Sequence, residues 1–112
     1  ERARFIANQW SRAEGDGVVL DFDPRHRLVS PALYRREETE ACWRAFEAPQ
    51  LLLLGAESEL RRRLGEDASE TTFHALFRDL RIVMVPNVGH MMHHEEPETI
   101  ARHIVEFVTS LP

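Results

Sequence analysis

His90 is the residue most able to do chemistry, and its surroundings explain why. It stands in Pro86-Asn87-Val88-Gly89-His90-Met91-Met92, between an apolar run that reads as a buried strand and an acidic stretch that reads as a helix start. An imidazole titrates near neutrality, so it can take a proton and return it at physiological pH, and Gly89 lets the backbone turn tightly enough to present it. His93 and His94 follow at spacings that could share a metal ion with His90. The three lie in a loop without a cysteine or second ligand cluster, so no metal site and no cofactor is expected. With Met91 and Met92 they read as pocket lining or as cover for the helix start. Two carboxylates, Glu57 and Glu59, follow the apolar run Leu51-Leu52-Leu53-Leu54-Gly55 and by themselves read as solvated loop charges. Arg61-Arg62-Arg63 looks like an anion site but, among Glu57, Glu59 and Glu66, reads as a solvated helix face.

The elements that must position these residues can be read from periodicity. Ala3, Ile6, Ala7 and Trp10 keep helical spacing up to a turn at Gly15-Asp16-Gly17, and Val18 to Asp23 reads as extended until Pro24 stops it. Pro31 sits near the start of a second helix reaching about Phe46, with Tyr34, Cys42, Trp43 and Phe46 as its buried side. Trp10, Phe5 and Trp43 are expected in a core. Leu51 to Leu54 lacks alternation and lies between Pro49 and Gly55, the pattern of a strand covered on both faces in a parallel sheet. Ser69 can cap a third helix carrying Phe73, Leu76, Phe77 and Leu80. A second apolar strand, Ile82 to Val85, ends at Pro86. The last helix begins at Pro97 among Glu95, Glu96 and Glu98, and Ile100, Ile104, Phe107, Val108 and Leu111 form its buried stripe. Strand, helix, strand, helix in this order is a βαβα unit of an α/β fold with a right-handed crossover.

Composition bounds the partners. The chain has 112 residues, 43% of them apolar, and a net charge of -5 with acids and arginines interspersed, so it offers no basic face to nucleic acid or to an anionic membrane. No apolar run is long enough to span a bilayer. Cys42 is the single cysteine, which excludes an intrachain disulfide and leans toward a reducing, cytoplasmic setting.

The run from Val83 through Gly89-His90 to Glu95-Glu96-Pro97-Glu98, taken with Ala48-Pro49-Gln50-Leu51-Leu52-Leu53-Leu54-Gly55 upstream, resembles the C-terminal part of the α/β-hydrolase superfamily. The resemblance covers residues 48–112 as the end of the hydrolase core, and residues 1–47 more loosely as the end of a cap and the helix returning to the sheet. It implies that His90 serves as general base for a nucleophile and that a carboxylate after Gly55 holds its tautomer. The family often places aspartate where this chain has Ser58, and a serine cannot be that acid. Some members resemble Gly-x-x-Ser-Asp instead, which puts Glu59 at the acid position, with Glu57 or a carboxylate outside this sequence as alternatives. No Gly-x-Ser-x-Gly and no oxyanion-hole segment occur, and Ser30, Ser58, Ser69 and Ser110 lack the flanking glycines. The implied protein is a hydrolase of a small, fairly apolar ester or related acyl compound. Its nucleophile is supplied by an upstream remainder of the same enzyme, either covalently joined or as a separate chain. The alternative is a non-catalytic, ligand-binding protein of the same fold that lost its acid.

Overall fold

The computed structural model describes all 112 residues as two compact units, Glu1–Tyr34 and Arg35–Pro112. In the first, helix α1 (Arg2–Trp10) is followed at once by the hairpin of strands β1 (Ser11–Glu14) and β2 (Gly17–Leu20). Glu14 pairs with Gly17, so the hairpin loop is Gly15-Asp16. Gly15 takes φ of 59°, a conformation closed to most side chains and usual at the first position of such a tight turn. This hairpin is a correction to the sequence reading, which ended at a turn and found only the second strand. Phe5 and Trp10, expected in a core, are 61% and 56% exposed, and no residue of this unit is buried.

The second unit opens with helix α2 (Arg36–Ala45), which begins later than Pro31 suggests because no helix forms before Arg36. Its inward side is also not the expected one: Tyr34, Cys42 and Phe46 are exposed, and Trp43 alone of the four is half-buried, stacked on Phe77 with ring centroids 5.3 Å apart. Arg36 and Glu40 share that side as an ion pair of 2.7 Å, and Arg36 also reaches Asp67. Helix α2, which the sequence groups with residues 1–47, therefore packs with the sheet-bearing unit.

Strand β3 (Gln50–Gly55) is followed by helix α3 (Glu59–Leu64), a single 3-10 turn and helix α4 (Glu70–Leu76). Ser69 caps α4 by accepting the Thr72 N–H at 3.1 Å, as its position suggests. The helix stops at Leu76, and Leu80 instead opens strand β4 (Leu80–Val85). The two strands pair in parallel from Gln50 with Leu80 to Gly55 with Val85, forming a small α/β unit. A short helix α5 (Met92–Glu95) precedes helix α6 (Pro97–Thr109), which starts at Pro97 as its sequence indicates.

Val85, Val88 and Ile100 form the buried cluster, with Leu53, Val83 and Met92 packed against it. Full burial of each such side chain is worth about 1.5–3 kcal/mol. The faces predicted to be covered are covered only in part. Leu51 to Leu54 are half-buried, and on α6 Ile100 is buried while Ile104 is 46% and Val108 57% exposed.

The end of β3 has no room for a side chain. A Cβ on Gly55 would collide with the Gly89 carbonyl oxygen and stand 2.7 Å from that of Val88. Backbone cannot yield as a flexible side chain can, so Gly55→Ala is expected to cost about 1–3 kcal/mol, the usual range for overpacking. Urea denaturation of the folded protein measures it, and an unchanged midpoint would contradict this contact.

Candidate active site

The parallel register brings the C-terminal ends of β3 and β4 side by side, which is where open α/β sheets gather their ligand-binding groups. The loops beyond the two strands are joined by backbone bonds. The Ala56 N–H donates to the Val85 carbonyl at 2.9 Å, and the Glu57 N–H to the Val88 carbonyl at 3.0 Å. Beyond Val85 the chain turns at Asn87, whose φ is 58°. The left-handed turn thus falls on Asn87 rather than on Gly89, and asparagine is among the few residues that adopt this conformation readily. Val88 then plunges to 1% exposure and anchors the loop, leaving the His90 side of it open.

His90 and Ser58 line one cavity of about 230 Å³, walled otherwise mostly by apolar side chains such as Leu53, Leu54, Phe73 and Met92. That is smaller than most ligand pockets, and suits a small apolar group. Arg61 also reaches the wall, where its Nε is buried with no hydrogen-bond acceptor. Ser58 is 4% exposed and its hydroxyl accepts the Arg61 N–H at 3.3 Å, which makes it the N-cap of α3.

The two candidate acids stand elsewhere. Glu57 is exposed, and its backbone rather than its carboxylate contributes, through the bond to Val88. Glu59 begins α3, and its carboxylate is gripped by arginines of its own helix. Arg62 donates to Oε2 from both Nη2 and Nε at 2.7 and 3.0 Å, and Arg63 Nε reaches Oε1 at 3.4 Å. Neither glutamate lines the cavity that holds His90. The Arg62 hydrogen bonds, with its charge and then Arg63, hold the Glu59 carboxyl below the usual carboxylate range. His93 and His94 lie with ring centroids 4.1 Å apart, and no three His, Cys, Asp or Glu side chains converge where a metal ion could sit.

Sequence reasoning missed Glu95. Read only as a negative charge near a helix start, it accepts the Gly89 N–H at 2.9 Å, directly beside His90. The spacing alone could have suggested it, because one short helical turn from Met92 brings a glutamate six residues on back over the loop.

No family model, curated protein or solved structure matches the chain. No helix is long and apolar enough to cross a membrane.

The Glu59 pairing has a pH signature. A carboxyl held below its ordinary value in the fold contributes stability that is present above the unfolded-state pKa and is lost as the pH falls through the lowered one. Arg62→Ala is therefore expected to raise the Glu59 pKa toward the ordinary glutamate value, as followed by NMR titration of its carboxyl carbon. A titration unchanged by the substitution would mean that Arg62 does not hold this group.

Proposed function

We propose that this chain is the C-terminal part of an α/β-hydrolase in which His90 acts as general base for a nucleophile supplied from outside these residues, on a small, fairly apolar ester or related acyl substrate. The observation that carries the reading is the meeting of the two loops: the strand-end loop bearing His90 and the one bearing Ser58 enter a single small cavity. His90 would take the proton of the nucleophile as the acyl bond is attacked and return it to the leaving group. The unpartnered Arg61 Nε offers a donor for a substrate oxygen. The exposed lone thiol of Cys42 fits a reducing, cytoplasmic setting.

Within the chain, Glu59 is the carboxylate proposed to orient the imidazole, and to do so it would give up Arg62 and Arg63. Those pairs, together with the buried Ser58 at the position where the family often has its acid, favour a second reading. In it the protein keeps the fold and the histidine but only binds its ligand. The two readings separate in the full-length protein. A fluorophosphonate probe is expected to label it, His90→Ala to lower turnover by roughly 10³-fold or more because members of such a set act as a unit, and His93→Ala and His94→Ala to cost far less. Glu59→Gln is expected to cost more than Glu57→Gln. Absence of labelling with turnover retained would point to a nucleophile other than serine, absence of both would favour the binding protein, and equal damage from His93→Ala would move the base.

The sheet is the second element of the proposal. Leu52, Leu53 and Leu54 of β3 all line the cavity, and β3 pairs with β4 alone, which leaves its other edge unpaired. A further strand there, from the rest of the hydrolase or from a separate chain, would satisfy the free backbone groups and wall the site. Residues 1–112 expressed alone are expected to lack a cooperative thermal transition and esterase activity. A sharp transition from a monomer would overturn this part, and hydrolysis by the chain alone would place the nucleophile within it.

A further inference from the structure

The peptide group that leads into His90 is held at both ends. Its carbonyl, on Val88, accepts the Glu57 N–H at 3.0 Å from the loop after β3, and its N–H, on Gly89, donates to Glu95 Oε2 at 2.9 Å from α5. The second carboxylate oxygen, Oε1, lies 3.0 Å from where a Gly89 Cβ would be, so the carboxylate sits directly over the glycine α-carbon. A charged acceptor makes the shorter and stronger kind of backbone hydrogen bond, and Glu95 is half-buried, which limits competition from water. The remaining freedom of the loop is small, since Val88 is buried and Asn87 already occupies the left-handed region.

From this geometry we propose that Glu95 is a positioning residue, one that fixes the plane of the Val88–Gly89 peptide and thereby the direction in which His90 leaves the loop. It touches no reacting atom in this role. The charge of its neighbour Glu96, which is exposed and bonds this segment only through its backbone N–H to the Met92 carbonyl, is dispensable. The catalytic consequence rests on the hydrolase reading, whereas the clamp itself does not.

The test uses the full-length protein with Glu95→Ala, Glu95→Asp, Glu95→Gln and Glu96→Gln. Exchange of the Gly89 amide proton and the rate at which diethyl pyrocarbonate modifies His90 read the clamp directly, and kcat and KM on p-nitrophenyl acetate read its consequence. Glu95→Ala is expected to speed Gly89 exchange by about tenfold or more and to change the His90 modification rate. It should lower kcat by roughly 10- to 100-fold with KM little altered, the scale on which misplacing a catalytic group is felt. Glu95→Asp keeps the charge but loses the reach, so it should behave like Glu95→Ala even if the alanine variant folds poorly. Glu95→Gln keeps an acceptor oxygen at the same length and should recover most of both effects, and Glu96→Gln should match the wild type. Unchanged Gly89 exchange and His90 modification in Glu95→Ala and Glu95→Asp would overturn the proposal. If the wild type hydrolyses nothing while exchange and modification respond as expected, the hydrolase reading fails and the positioning role stands.

Discussion

The site depends on a backbone contact at Gly55. Parallel pairing delivers two strand ends side by side, but it does not by itself hold the loops beyond them together. The carbonyls of Val88 and Gly89 do so by lying in the space a Cβ at Gly55 would need, and the bonds from Ala56 to Val85 and from Glu57 to Val88 complete the seam. Because the seam is made of main chain, it fixes positions to within hydrogen-bond tolerance and transmits them to whatever side chains follow. Ser58 follows on one loop and His90 on the other, and their shared cavity is the product. A side chain on Gly55 would act on the site by displacing the main chain of Val88 and Gly89.

What could be read from the sequence was what depends on local chemistry. Pro97 opening α6, Ser69 capping α4, the strand ended by Pro86 and the loop carrying His90 all follow from residues within a few positions of the feature. What could not be read depends on the partner surface. The α2 face meant to be buried holds Arg36 and Glu40 at its inward side because an ion pair between them, extended to Asp67, satisfies both charges where Trp43 meets Phe77. Leu80 continues the helical spacing of Phe73 and Leu76, yet pairing with Gln50 claims it for a strand, a non-local preference no window of residues contains. Of the candidate site, His90 was placed where expected. Glu95 was legible only as charge, since its bond to the Gly89 N–H needs the turn of α5 that periodicity over so few residues does not reveal.

The arginines around Glu59 decide what its carboxylate does in this structure. Arg61, Arg62 and Arg63 follow Glu59 within one turn, so a helix beginning at Glu59 places two guanidinium groups beside its carboxylate. Exposed pairs of this kind are weak and screened by water, so they do not forbid rearrangement when a better partner approaches. Glu59 is engaged by the arginines of its own helix and Ser58 by the cap of α3, so no carboxylate of this segment lines the cavity.

The exposed area bears on the same question from the side of stability. The chain leaves 9013 Å² open to water, against about 6,300 Å² for a self-contained protein of 13.0 kDa and about 7,500 Å² if its two units are counted as independent bodies. The surplus is not polar. Val18 at 72%, Leu33 at 83%, Val105 at 59% and Val108 at 57% exposure belong to it, and Leu51 to Leu54 add apolar surface and a free strand edge. Within the second unit, the exposed apolar side chains and the unpaired outer edges of the two-stranded sheet are features that a covering surface would satisfy. Leu52, Leu53 and Leu54 of β3 line the cavity that holds His90, and β3 pairs with β4 alone. A strand pairing with the free edge of β3 would satisfy its backbone groups, so the packing of the sheet and the shape of the cavity lined by Leu52, Leu53 and Leu54 are physically coupled.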